Sequence, residues 1–270
     1  TGHAGFCELN YTPLNRHNEV SIDRALKINK EFEISLQFWS FLAKKYKTYA
    51  CMEDIEIFKD ESMELAFTYY CLRQQTEKPI IKGTQKPNLC LADFISPKEN
   101  KVTDYIGLFA VTSGINADIY EDMFMKAEDD YSSIMVKAIT DRLAEAFAEY
   151  MHDRVRQDLW GYQTEKLSNE AMIKEKYQGI RPAPGYPACP DHTQKTTIFK
   201  LLQTTPTIGV ELTESLAMYP TASVSGFYFA HSEARYFGIG KIGKDQLQAY
   251  ANRKGIELDT AEKWLRPVLL

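Results

Sequence analysis

Hydrophobic residues between positions 32 and 49 fall at Ile34, Phe38, Phe41, Leu42 and Tyr46, close to a 3.6-residue period, and predict a helix. Residues 64–75 read as a second helix, preceded by an apolar patch of Ile55, Ile57 and Phe58 in an acidic stretch. Residues 89–95 predict a short buried strand running into a Ser96-Pro97 turn, and 104–112 a second strand. The longest helical pattern covers 118–160, too long for one globular helix, so a break is expected near 128–130. Its Met135, Ile139, Leu143, Ala146, Tyr150 and Leu159 lie near one stripe, expected to face the core. Asp141, Glu145, Ala148 and His152 share another face and form a polar seam.

The character of the chain changes at 180–190, where four prolines fall within a few residues. Asp191 then opens a helix to about Leu202, with Gln194 at capping-box spacing. Residues 223–230 and 235–242 predict two strands joined by a loop around Ser232-Glu233. A helix over 244–254 ends at Gly255, a suitable C-cap, and a last one over 259–265 is stopped by Pro267. Helices and strands mix without regular βαβ alternation, which predicts an α+β fold rather than a doubly wound sheet.

Composition narrows the function classes. With 270 residues, 44% hydrophobic and 26% charged, the chain can bury a full core. Lys+Arg number 32 against 37 Asp+Glu, a net charge of −5, which argues against a dedicated nucleic-acid binder. No apolar run reaches the length of a membrane span. A start at Thr1-Gly2-His3 without an initiator methionine reads as a shortened or processed chain. Five scattered cysteines without CxxC spacing fit reduced thiols in a cytoplasmic protein and argue against a structural zinc site.

The proline-rich segment is the strongest candidate for chemistry. Prolines 182, 184, 187 and 190 hold it extended and outside any helix or central strand. Its spare carbonyls, and the N–H groups of Ala183, Gly185, Tyr186, Ala188 and Cys189, could read a flat heterocycle, and Arg181 offers a planar fork for a carboxylate or phosphate. A rigid connector is the competing reading. His192 reads as a catalyst or as a capping residue; Asp141, Glu145 and His152 as a relay, a docking face or a solvated surface. Asp93 reads as an ammonium partner or a turn cap. Of Tyr236 and Phe237, one is expected in the core and the other free to stack on a ligand. The GxGxxG at 238–243 lies outside a βαβ context and is discounted, and no GxSxG, HExxH or Walker loop is present.

The run RPAPGYPACPDHT at 181–193 resembles the activation domain of cobalamin-dependent methionine synthase. So do LADF at 91–94, DYIG at 104–107, DRLAEA at 141–146, LTES at 212–215, SVSG at 223–226 and the tail over 250–265. The likeness is dense from about 54 to 267 and poor over the first 50 residues, so a divergent segment at 1–50 and an activation domain at 51–270 are expected. The resemblance implies a C-shaped single α+β domain with a bent antiparallel sheet, flanking helices and S-adenosylmethionine as ligand.

Carried over by position, Arg181 would hold the methionyl carboxylate and Asp93 the ammonium. The backbone of Arg181, Ala183 and Gly185, with Tyr236 and Phe237, would contact the ligand. Glu145 and Tyr186 would lie near the methyl donor and the corrin, and Asp141 would dock the cobalamin domain. Cobalt would supply the nucleophile, so no catalytic protein residue and no metal ligand are expected. The chain would be a module of a 5-methyltetrahydrofolate–homocysteine methyltransferase with little turnover alone. Its partners would be a cobalamin-binding domain and a flavodoxin-like reductant, drawn to a basic patch at Arg235, Lys241 and Lys244. The alternative is a docking scaffold that engages a cobalamin domain without binding S-adenosylmethionine.

Overall fold

The computed structural model describes residues 40–59, 62–163 and 165–270. Strand β1 (Ser40–Cys51) turns at Met52-Glu53 into β2 (Asp54–Lys59), which pairs with β3 (Glu64–Tyr70). A small hairpin of β4 (Ile80–Ile81) and β5 (Thr84–Gln85) follows, then a 3₁₀ turn at Leu91–Phe94 and strand β6 (Asp104–Thr112). Helices α1 (Ala117–Lys126) and α2 (Asp130–Arg154) come next, with α2 running on through a π-turn at Val155–Leu159. Beyond them lie α3 (Asn169–Ile173), α4 (Lys195–Leu202), α5 (Thr204–Ile208), the pair β7 (Glu211–Leu212) and β8 (Met218–Tyr219), and β9 (Ser223–Tyr228). Helices α6 (Lys244–Lys254) and α7 (Leu258–Leu265) close the chain.

The main sheet is antiparallel throughout, in the order β3-β2-β1-β6-β9, so the architecture is α+β as expected. Both faces of β6 are covered. Ile106, Leu108 and Ala110 join the core containing Ile198, Phe199 and Leu202 of α4, while Phe109 and Val111 meet Phe147, Ala148 and Met151 of α2. A third cluster packs α6 and α7 around Tyr250, Ala251 and Leu265. Among the described residues no helix is long and apolar enough to cross a membrane.

Several expectations are corrected. Residues 40–51 form a strand where a helix was predicted; the 32–39 part of that prediction lies outside the described residues, as does Cys7. β1 sits between β2 and β6, so partners on both sides override an accidental helical spacing. Residues 64–70 are likewise a strand; Phe67, Thr68, Tyr69 and Tyr70 favour a pleated surface, and Tyr69 stacks on Phe227 at 4.2 Å. The expected strand at 89–95 is a 3₁₀ turn, closed when the Cys90 N–H donates to Asp93 at 2.9 Å.

The helix break falls where it was expected: Glu128 has φ 56° and Asp129 caps α2 through Ser132. The burial of α2 does not follow the expected stripe. Met135, Ile139, Tyr150 and Leu159 are exposed, whereas Ala144, Phe147, Ala148 and Met151 face the sheet. Two alanines let the helix approach closely, and Phe109 and Tyr228 fill the volume from the strand side. Residues 235–242 form no strand beside β9. Their amides bond elsewhere, Ile239 to the Pro187 carbonyl and Ile242 to that of Val268, both at 2.8 Å. Pro267 starts a 3₁₀ turn after α7.

Candidate functional site

The proline-rich ribbon is laid along the end of β9. Ile180 and Phe229 exchange N–H···O bonds of 3.0 Å, and the Phe227 N–H donates to the Pro182 carbonyl at 2.9 Å. Proline has no N–H to offer a sheet, so this one-sided pairing suits it. Gly226 permits the approach, since a Cβ there would stand 2.6 Å from the Pro182 oxygen. Ile180, Pro182 and Pro184 are buried, while Arg181, Ala183 and Gly185 alternate to the half-exposed side.

The ribbon then folds on itself. The N–H groups of Gly185, Tyr186 and Cys189 donate to Cys189, Ala183 and Tyr186, so three of the five amides expected to be spare are consumed internally. Those of Ala183 and Ala188 have no acceptor among the described residues. Gly185 has φ 96° and lies against the His192 ring, leaving no room for a Cβ. His192 is therefore a packing residue of this turn, with Nδ1 3.1 Å from Lys195 Nζ. Burial and then Lys195 lower its pKa.

Arg181 is anchored at both ends. Its amide donates to the Tyr236 hydroxyl at 3.0 Å, and Nη2 donates to Glu149 Oε2 at 2.9 Å. The side chain is 19% exposed, and Nε is buried without a partner. Burial opposes the guanidinium charge, but Glu149 outweighs it and raises the pKa. Burial raises the pKa of Tyr236, and the Arg181 amide and charge lower it. Phe237 turns the other way and meets Phe94 edge-on at 6.3 Å. Tyr186 is 59% exposed on the crest of the ribbon, and Asp141 and Glu145 are exposed on α2, on the helix that carries Glu149.

Asp93 has protein partners in the structure. Arg73 holds it with two bonds of 2.8 Å, and the Cys90 N–H takes a third lone pair. The carboxylate expected to meet an ammonium thus also pairs with Arg73 and caps its own turn, and its side chain stays 34% exposed. Lys241, expected in a basic patch, donates to the carbonyls of Pro267 and Leu269. Sequence reasoning missed Glu149, Arg73 and Tyr177. Glu149 had a signal: it follows Glu145 by four residues, one helical turn.

His152 closes the site from behind. It is fully buried, stacked on Tyr228 at 5.3 Å and edge-on to Tyr177 at 5.0 Å, with Nε2 3.3 Å from the Tyr162 hydroxyl. The exposed seam expected on α2 therefore holds only at its Asp141 and Glu145 end. Burial, then Arg156 and Arg181, hold the imidazole well below its usual pKa of 6.5. Below that pH the unfolded chain takes up a proton that the folded chain refuses. Stability is full above it and falls by up to about 1.4 kcal/mol per pH unit below it, until the folded pKa is reached. The thermal midpoint is expected to drop between about pH 7.5 and about 5.5, and His152→Gln to flatten that dependence. An unchanged slope in the variant would assign the acid sensitivity to other groups.

Comparison with known proteins agrees with this architecture. A crystal structure of the MetH reactivation domain bound to AdoHcy is similar, with a TM-score of 0.82 and 48% identity over 92% of this chain and 74% of that one. The family described as vitamin B12 dependent methionine synthase, activation domain, matches residues 27–255. The match begins well before position 50 and takes in the whole of the main sheet, α2 and the ribbon. The chain therefore belongs to the activation-domain family of vitamin B12 dependent methionine synthase.

Proposed function

We propose that this chain binds S-adenosylmethionine along the ribbon and presents its methyl group to cobalamin carried by another domain, for reductive reactivation of methionine synthase. The carrying observation is the alternation of the ribbon, which turns Arg181, Ala183 and Gly185 to one half-exposed side. The AdoHcy held by the similar reactivation domain supports the same ligand class here. The residues fit such a ligand. Arg181 keeps Nη1 unbonded among the described residues, which leaves donors at the end of the guanidinium for a carboxylate, and the Ala183 and Ala188 amides suit the edge of a heterocycle.

Cobalamin, when brought by its own domain, supplies the cobalt nucleophile. This chain's part is to bind and orient. Arg181 fixes the amino-acid end of the ligand, the ribbon amides fix the base, and Tyr236 braces the Arg181 backbone. No proton leaves the nucleophile, so no general base is needed, and holding the sulfonium in line supplies the advantage of proximity. Tyr186 and Glu145 are exposed on the rim in this reading and face the incoming corrin, with Asp141 available for docking. The flavodoxin-like reductant, the full transferase activity and the low turnover of the isolated chain belong to the same proposal.

Titration calorimetry tests it: S-adenosylmethionine and S-adenosylhomocysteine are each expected to give saturable heat at one ligand per chain. Absence of heat from both would leave the docking reading, which rests on the exposed acidic and apolar side chains of α2.

A further inference from the structure

Two of the arginine–carboxylate pairs among the described residues differ in kind. Arg73 and Asp93 meet fork to fork, with two bonds of 2.8 Å, and Glu53 lies 3.4 Å from the same guanidinium. That arginine is fully committed. Arg181 and Glu149 share a single bond of 2.9 Å between Nη2 and Oε2. Glu149 Oε1 and Arg181 Nε are both buried and unpartnered, and Nη1 bonds to no described atom.

A guanidinium this enclosed needs a counter-charge, and on a flexible three-carbon stem it needs a fixed direction. Glu149 supplies both from the rigid body of α2 while using one of five donors. A fork-to-fork pair would have taken a second donor and left fewer for a ligand.

We propose that Glu149 is the positioning residue of the ligand site: its one-point contact aims Arg181 so that the remaining donors meet the carboxylate of an amino-acid-bearing nucleoside. This rests on the ligand reading above. Glu149 acts through Arg181 and touches no ligand atom itself.

The test compares S-adenosylmethionine with decarboxylated S-adenosylmethionine, which keeps the sulfonium, the ammonium and the adenosine. Wild type is expected to prefer the carboxylate-bearing ligand. Glu149→Ala frees the arginine rotamer and is expected to shrink that preference about tenfold, leaving the decarboxylated ligand's affinity unchanged. Glu149→Gln keeps the acceptor for Nη2 and removes the negative charge, so the preference is retained or increased. Equal weakening of both ligands by Glu149→Ala, or loss of the preference in Glu149→Gln, would overturn the assignment. So would wild-type binding without a carboxylate preference. Failure of wild type to bind either ligand would overturn the ligand reading itself.

Discussion

Arg181→Ala is expected to weaken S-adenosylhomocysteine binding roughly a hundredfold, while the chain stays folded. Two charge-assisted hydrogen bonds to a carboxylate contribute together about 3 kcal/mol, which is that factor in affinity. The fold should tolerate the change because the ribbon is held by its backbone: Ile180 and Pro182 bond to β9, and the Arg181 amide still donates to Tyr236. Glu149 loses its partner but is 34% exposed at the side chain and can be hydrated. Arg181→Lys is expected to recover little, since an ammonium cannot serve Glu149 and a ligand carboxylate in the plane of one fork. Calorimetry measures the affinity, and thermal unfolding checks that the variant is folded. Binding within threefold of wild type would remove Arg181 from the ligand site.

The parts of this fold that were legible from the sequence are those whose signal is local. Strand β6, the break before α2 and the Gly255 cap of α6 each carry their own pattern or punctuation. The misread parts take their structure from distant partners. β1 and β3 are strands because other strands bond to them, and the apolar residues of β1 fall by accident at helical spacing. On α2 the apolar stripe pointed outward, and the sheet is met by Phe147 and Met151 with, between and beside them, two alanines, which carry little hydrophobic signal.

The site divides in the same way. Four prolines and an arginine in one short run announced the ribbon. The pairing of Asp93 with Arg73, 20 positions away, had no sequence signature. The partner of Arg181 lies 32 positions away on α2, and its only sequence signal was its place one helical turn after Glu145.

Asp191→Ala is expected to be the most destabilising single change around the ribbon. Asp191 follows the last ribbon proline and is buried. It accepts from the Thr193 amide and hydroxyl at 2.8 Å each, from the Tyr250 hydroxyl at 2.5 Å, and from Lys254. Burial pushes its pKa up, but Lys254, Tyr250 and Thr193 together bring it below the ordinary 3.8. Its contribution is therefore present above that pH and lost as pH falls through the folded value. Removing it leaves the Lys254 ammonium enclosed without a counter-charge, at a cost of about 3–5 kcal/mol, or roughly 10 °C in the thermal midpoint. Lys254→Met in the same chain removes the stranded charge, so the double variant is expected to be more stable than Asp191→Ala alone. Because this cluster ties the end of the ribbon to α6, Asp191→Ala should also loosen ligand binding, and the double variant should not restore it. A double variant no more stable than Asp191→Ala would mean that the hydrogen bonds to Thr193 and Tyr250, rather than the enclosed charge, anchor the ribbon.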